Sequence, residues 1–465
     1  MKKLNTILVF ILFAVLALVC GANHEPWADE AQSWIIARDA SVGEIVWDIS
    51  RYEGTFPLWF LTLKFFISIG LRYEYIYIVP TIISSLGLFV FLKKVDAPKY
   101  VKVLLPFTYY VFFQYTVVSR SYCYLFLAFS WWASIYKDRL NKKLNYILSL
   151  IFMSFISLHG MIMSLVFGIT FLIEIVKEKQ IKKAILPYCL LGISWIVEVI
   201  ILMPRSDLYM NVAALYSFKS IIMSIIDTLV TGTNTFCIIY NWIVFVIFVV
   251  FALHLILAKN KDILISLVSL IIFSYAIRLV SHHLGIFFLL IIFGVICNYD
   301  DIKVKSKHFD KLFIMVLILY VVYSVWTGIN DINKPYSGAK EMARYIASKG
   351  YNEEEIYAFG YENVPVQAYF DEKIFANWDE TIYRWKADNK DFYNYTMFPD
   401  IDESELKYIP EMILVEWNEN NEKLKMIQEM IENTGMYDVE YQTTGNVFYK
   451  NSFSRTECYR LYKLK

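Results

Sequence analysis

A succession of long apolar runs fills residues 1–328 and constrains this chain more than any other feature. A membrane-crossing helix needs ~20 mostly apolar residues. Candidate spans fall at 4–22, 75–92, 101–118, 121–136, 145–159, 161–177, 184–203, 236–257, 262–280, 284–299 and 310–328. Composition agrees: 57% of the residues are hydrophobic and 19% are charged, whereas a soluble domain carries ~25% charge. An ordinary cytosolic enzyme and a disordered scaffold are both excluded. Lys and Arg (44) balance Asp and Glu (44), so no nucleic acid partner is indicated. The six cysteines are scattered without a CxxC pair, mostly inside apolar runs, which suggests neither a disulfide framework nor a zinc site.

Basic clusters set the sidedness, because cytoplasmic loops collect Lys and Arg. They occur at residues 2–3, 93–102, 137–143, 177–183, 259–261 and 303–311. All fall on one side if the further apolar run 56–71 does not cross, so that run is read as interfacial or re-entrant. The expected fold is an α-helical polytopic membrane protein with about eleven crossings, the N-terminus inside and interfacial helices in the first outer loop. A cleaved signal peptide ending near Cys20-Gly21-Ala22 is the alternative for the first run, and it would leave the later orientation unchanged. Residues 1–328 form the membrane domain in this reading, and 329–465 a small extracytoplasmic α/β domain. The basic loops point to a cytoplasmic membrane as the expected location, and membrane lipids are the first expected partners.

With that topology, the out-of-place polar residues converge on the outer face. The first outer loop carries His24-Glu25-Pro26-Trp27-Ala28-Asp29-Glu30-Ala31-Gln32-Ser33-Trp34 and then Arg51-Tyr52-Glu53-Gly54. Later outer turns hold Ser119-Arg120-Ser121-Tyr122, then His159-Gly160, then Arg278 and Ser281-His282-His283. Each has a structural alternative. Asp29 with Gln32 fits a capping box opening a helix at 30–39, and Ser41 with Glu44 fits one opening 42–51. Val42, Ile45, Val46 and Ile49 would line one face of that second helix. Arg120 can anchor a helix end among headgroups. Adjacent residues such as His282 and His283 diverge by ~100° on a helix and rarely share a metal ion. Glu198 is an intramembrane carboxylate, hence a functional candidate or a buried partner of Arg205 or a hydroxyl. Glu174 and His254 read as snorkelling residues, and Ser217 to Thr231 as an amphipathic interfacial helix.

In the tail, helices are expected at 337–350, 362–370 and 418–434, with strands at 355–359 and 411–417. Residues 437–442 and 446–450 look like a hairpin around Thr444-Gly445. No Gly-rich phosphate loop or triad spacing is present, so acceptor recognition or a cap over the cleft is expected of the tail.

The order HEPWADEAQSW, RYEG-x-x-P-L-W, VVSRSY and a late H-H-x-G resembles a bacterial branch of the glycosyltransferase C superfamily. It is similar to the protein O-mannosyltransferases and the lipid A aminoarabinose transferases. Two positions depart from that pattern. Thr55-Phe56 stands where a His-Pro pair is usual, with Pro57 one step late, and Ser281 stands where an Arg commonly precedes the histidines.

The resemblance implies inverting transfer of a sugar from a polyprenyl-phosphate donor to a lipid, glycan or protein acceptor. An outer-face site, which has no nucleotide-sugar pool, independently favours a lipid-borne donor. Asp29 is the expected general base, with Glu30 sharing or supporting that role. Arg120 is the expected phosphate ligand, followed by His282, His283 and Arg278. Tyr122, His159 and Glu53 complete the candidate substrate-binding set. No cofactor is required and no metal ligand is assigned, although Asp29 and Glu30 would tolerate a divalent cation. A lipid-linked sugar flippase is the competing class, yet the internal repeats typical of transporters are not visible. A catalytically degenerate member acting in envelope assembly is the third.

Overall fold

The computed structural model describes residues 6–208, 249–250, 253–254, 260–273, 281–306, 308–378, 380–385, 409–417, 422–444, 447–449, 452–454 and 457–465. Arg278, the side chain of His282, most of the run 236–257 and the amphipathic stretch 217–231 lie outside that set. The described residues form two compact units. One is drawn from Met1–Gly21, Tyr77–Met203 and Asn211–Ile329, the other from Ala22–Ile76, Pro204–Met210 and Asn330–Lys465. The second unit therefore joins the segment that follows the first apolar helix to the tail.

The first unit is helical. Among the described residues, five helices are long and apolar enough to cross a membrane: Thr6–Asn23, Tyr73–Lys94, Leu158–Lys177, Ile185–Leu202 and Phe309–Asn333. A pair bent by 75°, Gly285–Cys297 with Tyr299–Lys305, would make a sixth. Large apolar side chains stand exposed along the first and fourth of these, among them Ile7, Leu8, Leu186 and Ile196, as lipid contact requires and water does not.

Other expected spans are shorter or broken. Helices Tyr124–Tyr136, Lys143–Ser154 and Lys261–Phe273 have 13, 12 and 13 residues. The segment 99–117 is a short α-helix at Lys99–Leu104, a 3-10 turn at Leu105–Phe107 and a π-helix at Tyr110–Val117. Pro106 and the extended Thr108 interrupt the backbone ladder there. Near the C-terminal end of helix Leu158–Lys177, Glu174 pairs with Arg139 at 2.7 Å, and His254 Nδ1 meets the Val250 carbonyl at 2.7 Å.

The second unit is built on a four-stranded sheet ordered β1-β2-β6-β3. The strands are β1 (Ile356–Phe359), β2 (Met412–Glu416), β3 (Tyr437–Gln442) and β6 (Tyr459–Leu464). β1 and β2 run parallel, and β6 is antiparallel to both β2 and β3. The hairpin expected between 437–442 and 446–450 is not formed. β3 pairs with β6 instead, while β4 (Val447–Tyr449) pairs with β5 (Ser452–Ser454). Leu424, Ile427 and Ile431 share one face of helix Glu422–Asn433 and bury it against Phe359, Ile413, Val415 and Tyr462.

The first-loop elements belong to this same unit. Helix Ala28–Asp39 packs on helix Leu58–Ser68 and on the short helix Val364–Gln367. Lys64 Nζ donates to the Ala37 and Ala40 carbonyls at 3.2 and 2.7 Å, capping the C-terminal end of helix Ala28–Asp39. Leu58–Ser68 has 11 residues, about 16 Å of helix, too short for a ~30 Å hydrocarbon core. The Ser41–Glu44 capping box is present in both directions. Beyond it a π-turn at Ile45–Ile49 shifts the register, so Ile45 and Ile49 are buried while Val42 stays exposed. The four apolar residues expected on one face therefore do not share it.

Candidate functional site

In the second unit the site is organised by the N-terminus of helix Ala28–Asp39. The N-cap is Trp27, not Asp29, which corrects the expected Asp29/Gln32 capping box. Glu30 occupies N3 and accepts from the Trp27 N–H at 3.2 Å. A second carboxylate comes from the far end of the chain: Glu457 Oε1 accepts from the Ala28 N–H at 2.9 Å. Both anions lie where the orphan N–H groups and the helix dipole favour them.

Glu30 is also one arm of a buried ionic clasp. His24 Nε2 lies 3.1 Å from Glu30 Oε2, and His24 Nδ1 lies 3.0 Å from Asp331 Oδ2. All three side chains have about 1% of their surface exposed or less. Burial alone would lower the His24 pKa, but the charges of Asp331 and Glu30 outweigh it and push it up to about 10. The imidazole is therefore a cation that donates from both nitrogens. Glu25, beside it in sequence, accepts from the Lys340 N–H at 2.5 Å. Burial pushes the Glu25 carboxyl up to about 7, against the opposing pull of that hydrogen bond and nearby cations.

Asp29, at N2, is not required as a cap. It is half-buried, and Tyr361 Oη donates to its Oδ1 at 3.3 Å. Tyr361 belongs to a trio of rings with Tyr383 and Trp385, whose centroids lie 4.7–5.1 Å apart. Gln32, one turn beyond Asp29, donates to Glu53 Oε1 at 3.1 Å and to the Tyr383 carbonyl at 2.6 Å. Asp29, Gln32, Glu53 and the three rings thus form one contact network. Beside it, Asp48 holds Arg205 and Arg384, and Tyr52 Oη donates to Asp207 at 2.8 Å.

The first unit carries a second cluster. Arg120 sits in extended backbone between the π-helix and the turn Ser121–Cys123, with its guanidinium 5.8 Å from the Tyr122 ring centre. Tyr122 stacks on Tyr115 and meets His283 edge-on at 5.9 Å. His283 lies 4.5 Å from His159, centroid to centroid. His159 is buried, packs against Phe273, and leaves Nε2 without a hydrogen-bond partner among the described residues.

Two glycines explain this proximity. A Cβ on Gly285 would collide with Tyr115 and Tyr110, and one on Gly160 would strike the Met153 carbonyl. The glycines of H-H-x-G and His-Gly thus permit close backbone approach. Glu198, by contrast, is fully buried and accepts from the Ser154 hydroxyl at 2.5 Å. It ties helix Ile185–Leu202 to Lys143–Ser154, which is its structural alternative with a serine as partner.

Asp29, Glu30 and Glu53 are therefore placed together in one unit, and Arg120, Tyr122, His159 and His283 in the other. Sequence reasoning missed Asp331, Tyr361, Tyr383, Trp385 and Glu457. Only Tyr383-Arg384-Trp385, an aromatic pair around a cation, offered a local signal. Among the described residues no group of three or more His, Cys, Asp or Glu has the arrangement of a metal site. Comparison of the chain with models of known families, with curated proteins and with solved structures finds no match.

Proposed function

We propose that the chain is an inverting membrane glycosyltransferase that takes a sugar from a polyprenyl-phosphate donor at the outer face of the cytoplasmic membrane. One observation carries this reading. The acidic pair differs in setting: Glu30 is fully buried and bound to His24 and the Trp27 N–H, while Asp29 is half-buried and faces the Tyr361 hydroxyl. Asp29 is accordingly the base. An acceptor hydroxyl or amine attacks the anomeric carbon, the bond from that carbon to the phosphate oxygen breaks, and the lipid phosphate leaves with the electron pair. The acceptor proton passes to the Asp29 carboxylate.

Arg120 binds the leaving phosphate, where a guanidinium stabilises developing negative charge. His283, His159 and Tyr122 flank it, Arg278 and His282 assist, and Glu53 binds sugar hydroxyls. Eleven crossings, an inside N-terminus and an outside tail complete the proposal.

The test uses the full chain in phospholipid nanodiscs with radiolabelled polyprenyl-phosphate hexoses and pentoses. Asp29→Asn should lower transfer by about 10²–10⁴-fold, whereas Asp39→Asn should leave it near wild type. Wild-type turnover by Asp29→Asn would overturn the assignment. Lipid translocation without any transfer by the wild type would replace it with the flippase reading.

A further inference from the structure

We propose that Tyr361, Tyr383 and Trp385 form a stacking platform for a sugar ring, and that the acceptor delivered to Asp29 is therefore a saccharide. The identification of that sugar as the acceptor rests on the transferase reading; the platform itself does not. Tyr383 is 2% exposed and anchors the group, whereas Tyr361 and Trp385 are only half-buried. The rings meet at 48–88°, so they offer ring faces and edges at an angle to one another rather than one flat stack.

Their polar rim is specific. Tyr361 joins the platform to the Asp29 carboxylate at 3.3 Å, and Gln32 joins the Tyr383 backbone to Glu53. A pyranose matches both parts, with one face of C–H groups for the rings and hydroxyls around its edge for carboxylate and amide. A lipid tail would strip water from both carboxylates and offer no hydrogen bond in return. A phosphate would meet two carboxylates, while the nearby Arg384 is already committed to Asp48 and Glu380. The chemistry therefore favours an uncharged saccharide over a phosphate group on this surface.

Saturation-transfer NMR on the full chain in phospholipid nanodiscs, free of glycoside detergent, tests this with cellobiose and methyl α-mannopyranoside as probes. Irradiation of aromatic protons should saturate the C–H protons of at least one probe in the wild type. Trp385→Ala should weaken that binding about tenfold, the loss expected for removing one ring from an apolar contact. Trp385→Tyr should retain most of it. Absence of saturation of both probes by the wild type overturns the platform without recourse to any variant. So does unchanged binding by a folded Trp385→Ala protein. Saccharide binding together with full activity of Asp29→Asn would overturn the base assignment and leave the platform standing. Loss of transfer in Asp29→Asn without saccharide binding would do the reverse.

Discussion

His24 shows how one residue sets the electrostatics of a whole loop. Its folded pKa of about 10 exceeds the ordinary value of 6.5, so the folded protein holds a proton that the unfolded chain releases. That contribution to stability is fully present below pH ~6.5 and is lost as pH rises toward 10. We expect the melting temperature of the wild type to fall across that window, and that of His24→Gln to be lower and flatter. Removing the cation leaves two buried carboxylates unpaired, a loss of about 3–5 kcal/mol. Differential scanning fluorimetry across pH measures both effects; an unchanged slope in His24→Gln would refute the clasp. Glu25 behaves in the same sense in a lower window. Its carboxyl is raised from 4.5 to about 7 by burial, so the folded form holds the extra proton between those values and stability declines as pH rises through them. Glu25→Gln should abolish that decline in the same scans.

At the scale of elements, close approach matters more than length. Gly285→Ala would push Tyr115 from beneath helix Ser281–Cys297, and through Tyr115 would move Tyr122 and His283. We expect about 1–3 kcal/mol of destabilisation and a transfer rate reduced more than acceptor affinity, read from kcat and KM separately. What the sequence makes visible at this scale follows from length and local chemistry. Long uninterrupted apolar helices such as Leu158–Lys177 are readable because nothing in them competes with the 3.6-residue repeat. The π-helix at Tyr110–Val117 is not, since its extra residue per turn leaves no periodic mark in an all-apolar run. Partner choice is equally silent. Residues 437–442 alternate as a strand should, but nothing local says that they pair with β6 rather than with 447–449. The Asp29/Glu30 assignment turned on a helix that starts earlier than its best capping residue suggests, an offset that decides which carboxylate is spent on structure.

At the scale of the whole molecule, the His24–Glu30–Asp331 clasp joins positions 307 residues apart, a distance over which no local pattern carries information. The proposed sidedness, in contrast, rests on loop charge. In a cysteine-free background, Lys349→Cys should react with a membrane-impermeant maleimide applied to intact cells stripped of their outer envelope. Lys182→Cys should react only after permeabilisation. The reverse pattern would invert the proposed topology.

The central position of β6, between β2 and β3, has a consequence for biogenesis. Until residues 459–464 have been synthesised, β2 and β3 have no common neighbour. The loop around Glu457 that caps helix Ala28–Asp39 is likewise missing until then. Helix Ala28–Asp39 must therefore wait, without that cap, through the synthesis of the intervening apolar helices. The sheet can close only when its central strand arrives, long after the residues it unites have been made.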